Sequence, residues 1–250
     1  MSTENGKKAL LWLRAALTGE QCVSCGRYDT HGLSLLCPSC RQSLTDSMSE
    51  KCPLCGKSAV GCLCMTDGMD ECGASALIKL GFYDARDREA ALNRIILRLK
   101  DMPDRMLARM LAPYALCTLT DFLEKNGISR EETVFTYIPR SRSRAAETGT
   151  DQAKLLSRAI ASEGGYGCIE VISRSKANSS AQKTLTASER KSNAKGVYSV
   201  KKGERIFGRT VVIVDDLVTT GSTMKECIRI CSDAGARRII CLCIGRASFR

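Results

Sequence analysis

The chain has 250 residues, 44% hydrophobic and 5% aromatic, with a formal net charge of +11. That length accommodates one α/β domain plus a smaller module, and no uncharged apolar run is long enough to cross a bilayer, so membrane insertion is not expected. The basic balance favours polyanionic partners, either nucleic acid or phosphorylated small molecules, and a single histidine, His31, leaves little room for histidine catalysis.

Near the start, Ala9–Leu13 is a short apolar patch that Arg14 interrupts, and no small-residue cleavage site follows. A signal peptide is therefore not expected. Lys7–Leu17 reads as a short amphipathic helix, and residues 1–19 as an N-terminal helical segment.

Residues 20–72 are dense in cysteine. Cys22-Val-Ser-Cys25 is followed by Gly26, and Cys52-Pro-Leu-Cys55 by Gly56. Between them lies Cys37-Pro-Ser-Cys40, and after them Cys62-Leu-Cys64 and Cys72. Such pairs have metal-ligand spacing rather than the look of a secreted disulfide framework, which implies a cytoplasmic protein. In a Cys-x-x-Cys-Gly turn two thiolates reach one Zn²⁺, and the glycine permits the tight reversal. One site is expected from Cys22, Cys25, Cys37 and Cys40, and a second from Cys52, Cys55, Cys62 and Cys64. The single residue between Cys62 and Cys64 leaves Cys72 as an alternative ligand there, and His31 as one in the first site. Eight thiolates and two Zn²⁺ would bring the net charge to about +7. With few large apolar residues, this module would draw folding energy from its metals. The mixed, slightly acidic charge of residues 41–71 favours a structural role over DNA reading.

Residues 73–250 read as the α/β domain. Ala76–Tyr83 is expected to be extended. Asp87–Lys100 is helical, with Ala91, Leu92, Ile95, Ile96 and Leu99 on one face, and Pro103 ends it. Met106–Leu123 is a second helix that Pro113 is able to divide. Thr133–Ile138 is a strand leading into Pro139-Arg140-Ser141-Arg142-Ser143-Arg144, a basic loop placed where ligands of α/β sheets bind. There Arg140, Ser141 and Arg142 suit a pyrophosphate or a nucleic-acid backbone, a solvated loop being the alternative. Asp151–Ala161 is a helix and Gly167–Ile172 a strand. Arg174–Arg205 carries nine Lys/Arg against two Glu and is too long for a plain connector. It reads as a substrate-covering loop or a nucleic-acid contact, though only Tyr198 is available for base stacking.

Val211–Val214 is a β-branched run that reads as a strand buried on both faces. Asp215 and Asp216 follow at its expected end. Then come Thr219, Thr220, Gly221, Ser222 and Thr223, and a helix over Met224–Ala234 stopped by Gly235. A loop feeding a helix N-terminus presents free N–H groups and partial positive charge, a phosphate site. The two carboxylates suit a sugar diol, directly or through hydrated Mg²⁺. The plain alternative is a strand–turn–helix with Ser222 or Thr223 as N-cap. Arg237–Ile244 is a final strand whose Cys241 and Cys243 read as core thiols.

The stretch 211–223 resembles the ribose-5-phosphate motif of type I phosphoribosyltransferases. Together with the paired N-terminal cysteines and the Arg174…Gln182…Leu185…Arg190…Asn193…Gly196…Tyr198 spacing, it makes the chain similar to the ComF family over roughly residues 20–248. That family shows Arg-Gly-Phe-Asn-Gln-Ala where this chain has Thr148-Gly149-Thr150-Asp151-Gln152-Ala153; Gly149, Gln152 and Ala153 agree and the other three differ. The resemblance implies a type I phosphoribosyltransferase-like parallel sheet flanked by helices, with a small N-terminal zinc-ribbon module. It also implies a phosphoribosyl pyrophosphate ligand with Mg²⁺, and a role with single-stranded DNA or a competence helicase in DNA uptake. The alternative is an active transferase moving ribose-5-phosphate to a nitrogen acceptor, with Asp215 and Asp216 catalytic.

Overall fold

In a computed structural model the described residues are 21–28, 35–141, 149–174 and 197–248. The expected N-terminal helix, His31, Arg142, Arg144, Thr148 and most of the basic Arg174–Arg205 segment lie outside them. The elements in order are α1 (Pro38–Ser49), β1 (Ala74–Tyr83), α2 (Ala91–Asp101), α3 (Arg105–Lys125), β2 (Thr133–Tyr137), α4 (Gln152–Gly164), β3 (Gly167–Cys168), β4 (Ile172–Arg174), β5 (Tyr198–Val200), β6 (Thr210–Val218), α5 (Ser222–Asp233) and β7 (Arg238–Ala247).

Five strands form one sheet in the order β1-β7-β6-β2-β3, and every neighbouring pair is parallel. Parallel strands need crossovers, which cover both faces and make the strands apolar throughout. Side-chain alternation divides the sheet accordingly. Ile78, Leu80, Phe135, Val212, Val214, Ile240 and Leu242 pack with α2, α3 and α4 on one face. Leu77, Val134, Val211, Ile213, Ile239, Cys241 and Cys243 pack with α5 on the other. Cys241 and Cys243 are thus core thiols, as their alternation suggests.

Several boundaries differ from expectation for local reasons. Pro113 does not divide α3, which runs unbroken from Arg105 to Lys125. The proline sits on the exposed side, so the backbone bond it removes is lost where water can replace it. The expected strand Gly167–Ile172 is two strands. β3 pairs with β2, whereas β4 pairs antiparallel with β5 in a separate ribbon. The chain leaves the main sheet at Glu170, whose carboxylate is held by Lys154 Nζ of α4 at 3.1 Å. Strand β6 is longer than expected, because its pairing with β7 continues to Val218↔Arg246 while its pairing with β2 stops at Tyr137↔Val214.

The cysteine-dense segment is not a separate lobe. Cys22, Val23, Leu36, Cys40 and Leu44 share a core with Leu80, Leu92 and Ile96. Cys52, Ala59 and Cys62 pack against Phe82 of β1. Helix α1 crosses β1 where Gly81 allows it: a Cβ there would stand 2.5 Å from Leu92 Cδ2 and 3.2 Å from the Ser47 carbonyl oxygen. Gly81→Ala is expected to push α1 off the strand at a cost of about 1–3 kcal/mol, the usual range for overpacking. Chemical denaturation would show it as a lower midpoint; an unchanged midpoint would contradict this close packing.

Candidate functional site

The Cys-rich segment contains two closely matched turns. In the first, Gly26 N–H donates to Cys22 O (2.9 Å) and Cys22 N–H to Arg27 O (2.8 Å); in the second, Gly56 N–H donates to Cys52 O and Cys52 N–H to Lys57 O, both at 2.8 Å. Gly26 and Gly56 have φ of 73° and 69°, the left-handed region where glycine has no steric cost. The third pair, Cys37 and Cys40, is built differently. Cys37 is the N-cap of α1, Pro38 fills the first helical turn, and one turn later Cys40 returns to the same side.

Two sets of four ligand atoms result, Cys22/Cys25/Cys37/Cys40 and Cys52/Cys55/Cys62/Cys64, with all sulfurs of a set within 4.8 Å of one another. Four sulfurs around a tetrahedral Zn²⁺ at about 2.3 Å stand about 3.8 Å apart. Cys25 and Cys37 Sγ are 3.8 Å apart. Both sets fit zinc, with the ligands the spacing suggests. Cys72 lies apart from them; its sulfur accepts a hydrogen bond from Arg229 of α5 at 3.4 Å.

The thiols of each set are electrically unequal. Burial would raise Cys25, but the Arg27 backbone and the hydrogen bonds from neighbouring thiols lower it to about 6; burial pushes Cys40 up to about 12. In the second set Cys52 is opposed by burial yet brought down to about 7 by backbone N–H groups and its neighbours, while burial pushes Cys64 up to about 12. A divalent metal would take all four as thiolates and release the protons they hold. Purified protein should carry two zinc ions per chain by elemental analysis. Stripping them with chelator should lower the unfolding temperature, and it should do so more readily at pH 6 than at pH 8, since thiolates are the ligands. Metal-free protein of full stability would contradict a structural role.

The second constellation lies at the carboxyl edge of the sheet. Because β2 ends earlier than β7, the stretch of β6 that carries Asp215 and Asp216 runs beside β7, with Asp215↔Cys243 and Leu217↔Gly245 in register, and has no partner on the β2 side. The crossover after β2 runs outward to β3 and that after β6 runs outward to β7. The gap between β2 and β6 is thus the switch point of the sheet, where ligands of open α/β folds bind. Arg140 and Ser141 enter it after β2, and the loop Thr219–Thr223 after β6.

Strand alternation separates the two acids. Asp216 shares the face of Val212 and Val214. It is 4% exposed, and its carboxylate accepts from Gln152 Nε2 of α4 at 3.1 Å and from Leu217 N–H at 2.8 Å. Asp215 shares the face of Val211 and Ile213 and is partly exposed. It accepts from Asp216 N–H at 2.9 Å. Burial, then the negative charge of Asp216, holds the Asp215 carboxyl well above the usual carboxylate range. Asp215 is the acid with capacity left for a ligand; Asp216 is fastened to the neighbouring helix.

Gly221, at φ 72°, is the N-cap of α5, and no side chain caps this helix. Neither Ser222 nor Thr223 is the N-cap. Thr220 and Ser222 hydroxyls lie 3.0 Å apart, and Thr219 and Thr220 are exposed. The loop therefore has the hydroxyls and the helix dipole that attract an anion. Across the gap, Asp151 caps α4 through Ala153 and Lys154 N–H and also accepts from Arg140 N–H at 2.8 Å. The Arg140 guanidinium donates to Lys100 O at 3.1 Å. Gln152 and Asp151, read from the sequence as the start of a helix and as parts of a hexapeptide pattern but not as site residues, are the residues that hold Asp216 and Arg140 at the start of the basic loop in place.

The Cys-rich segment also touches this site. Thr66, just past the second cysteine set, lies against the position a Gly221 side chain would take. Its hydroxyl is buried with no hydrogen-bond partner among the described residues. Lys225 Nζ of α5 donates to Asp67 O at 2.9 Å.

An acid whose folded pKa is raised binds its proton more tightly folded than unfolded, so its contribution to stability falls as pH rises through that interval. At pH 7.5 Asp215 thus opposes folding. Asp215→Asn should melt at the same or a higher temperature than the parent at pH 7.5, with the difference shrinking towards pH 4. A lower melting temperature at pH 7.5 would contradict the repulsion.

The phosphoribosyl transferase domain family matches residues 146–247. Competence protein F of Haemophilus influenzae is 28% identical over 137 residues, 54% of this chain and 58% of its own length. Among solved structures, the allosteric regulatory enzyme of purine biosynthesis is 17% identical, the match covering 62% of this chain and 26% of that one with a TM-score of 0.33. A purine phosphoribosyltransferase from Pyrococcus horikoshii Ot3 is 18% identical, covering 54% and 82% with a TM-score of 0.29. The family match, the competence protein and the two cysteine sets bear out the ComF resemblance read from the residues.

Proposed function

We propose that this protein binds a phosphoribosyl ligand, phosphoribosyl pyrophosphate with Mg²⁺, at the switch point between β2 and β6. The observation that carries the reading is the meeting of an acid with spare acceptor capacity, Asp215, an uncapped hydroxyl-rich helix start, Thr219–Thr223, and an arginine loop across the gap. The 5-phosphate would take the loop N–H and hydroxyl groups, and Asp215 would accept from the ribose hydroxyls or hold hydrated Mg²⁺. Arg140 and Ser141 would face the pyrophosphate, joined by Arg142 of the same loop. Asp216 would act by holding Asp215 and Gln152 in register.

The ligand site is one part of a role in natural competence, in which the protein contacts single-stranded DNA or a DNA-uptake partner such as a helicase. The net charge of +11 supports that part, as do the exposed tips of the cysteine turns, where Arg27 and Tyr28 adjoin and Lys51 and Lys57 flank Leu54. Contacts of this kind are to phosphate and base faces, so DNA affinity should fall steeply with salt.

The alternative is an active transferase, in which Arg140, Ser141 and Arg142 would stabilise a departing pyrophosphate while Asp215 would face the positive charge that builds at the anomeric carbon. Release of pyrophosphate in the presence of a nitrogen acceptor would establish it.

Calorimetric titration of metal-loaded protein with phosphoribosyl pyrophosphate and Mg²⁺ should show one site per chain, lost or weakened at least tenfold in Asp215→Asn. Heat of binding that is unchanged in the variant, or absent in both proteins, would reject the site.

A further inference from the structure

Between the second cysteine set and the start of β1, the chain runs along α5. A Cβ on Gly221 would collide with Thr66 Oγ1 and stand 3.6 Å from Met69 Sδ. Lys225 Nζ donates to the Asp67 carbonyl oxygen at 2.9 Å, Arg229 Nη2 donates to Cys72 Sγ at 3.4 Å, and Gly73 lies against the Ser232 side chain. The partners on the helix are spaced by four, four and three residues, so they share one face. Residues 66–73 meet them in the order in which the chain runs. Met69, 0% exposed, pins the middle of this strap in the core that holds Met224, Cys227 and Cys231.

Both ends of the strap are anchored. At the far end β1 begins at Ala74, whose N–H donates to Met69 O at 3.1 Å. At the near end, two residues before Thr66, Cys64 gives its sulfur to the second cysteine set. Its carbonyl oxygen and that of Cys62 accept from Nζ of Lys79, a buried residue of β1, at 3.2 and 2.7 Å. The sheet therefore holds the carbonyls of this turn, and a bound metal would hold its sulfurs. The first cysteine set packs elsewhere: Arg94 of α2 donates to Ser24 Oγ and Cys40 Sγ, and Cys22 and Cys40 share the core of Leu92 and Ile96.

Gly221 depends on such support. A glycine at φ 72° has no side chain to restrain it, no side chain caps α5, and the first bond of the helix runs from Lys225 N–H to Gly221 O at 2.8 Å. Thr66 fills the place a Cβ would take. Its hydroxyl has no hydrogen-bond partner among the described residues, so what it gives Gly221 is shape. We propose that Thr66 is a positioning residue for the loop Thr219–Thr223, and that the strap transmits to it the occupancy of the second cysteine set. With metal bound there, the start of α5 is held ready for an anion; without it, the start of α5 loosens. The first set has no part in this. The proposal rests on the phosphoribosyl reading for what the loop holds, and not for the link itself.

The test is amide hydrogen exchange of the zinc-loaded full chain without ligand, followed at Lys225 and Glu226 by NMR, for the parent, Thr66→Ala, Thr66→Val, Cys55→Ser and Cys25→Ser. Elemental analysis confirms that each cysteine variant has lost one metal ion. Thr66→Ala and Cys55→Ser should speed exchange at these two amides by about tenfold or more and leave the amides of α4 within about twofold. Thr66→Val, which keeps the shape, and Cys25→Ser, which empties the other set, should match the parent. Unchanged exchange in Thr66→Ala and Cys55→Ser would overturn the proposal. So would equal acceleration in Cys25→Ser or throughout α4, which would mark a general loss of stability. If Cys55→Ser does not fold, the two Thr66 variants decide. Titration of the same proteins with phosphoribosyl pyrophosphate and Mg²⁺ separates this proposal from the ligand reading. A parent that binds none rejects the ligand, while the exchange rates still judge the link. A parent that binds should lose affinity in Thr66→Ala and Cys55→Ser, and equally tight binding in Thr66→Ala would contradict its positioning role.

Discussion

Strand β6 is buried on both faces between helices, so Val211 to Val214 are all Val or Ile, and no charged side chain stands on it until a neighbour ends. That neighbour is β2, whose pairing stops at Val214. Two carboxylates follow at once, and everything chemical in the α/β domain is arranged around the opening they occupy. In a parallel sheet all carboxyl ends lie on one edge, so the basic loop after β2 and the hydroxyl loop after β6 are brought together by topology, not by a dedicated scaffold. The adjacent acids are separated by the pleat of a single strand: one is bound to Gln152, the other left half-open beside the loop.

The Cys-rich segment shares in that arrangement. Its first cysteine set lies in the same core as Leu92 and Ile96, its helix α1 rests on β1 at Gly81, and its exit at Thr66 and Asp67 abuts Gly221 of the candidate phosphate loop and Lys225 of α5. Metal sites that would fold a small module on its own here also seat it on the sheet.

Much of this was legible from residue patterns. Periodicity located the buried face of α2, the β-branched run located β6, and the paired cysteines gave both ligand sets, because each of these is a local regularity. Strand ends were less legible, since they depend on partners distant in sequence. Nothing within Val211–Val218 says that β7 continues beside the acids and β2 does not. Gly167–Ile172 has the composition of one strand, and only its tertiary surroundings split it between two sheets. Lys79 left a trace, a lone charge in an apolar strand, but its meaning depends on carbonyls of residues 62 and 64. The distinct roles of Asp215 and Asp216 were hidden for the same reason: Gln152 is 64 residues away.

The most direct test of the central claim, that one ligand occupies the opening between β2 and β6, is hydrogen exchange read by mass spectrometry with and without phosphoribosyl pyrophosphate and Mg²⁺. Protection should concentrate in peptides spanning residues 139–141 and 215–225, with the loop amides of Ser222 and Thr223 slowed most. Protection confined to the cysteine turns, or none on either side of the opening, would contradict it.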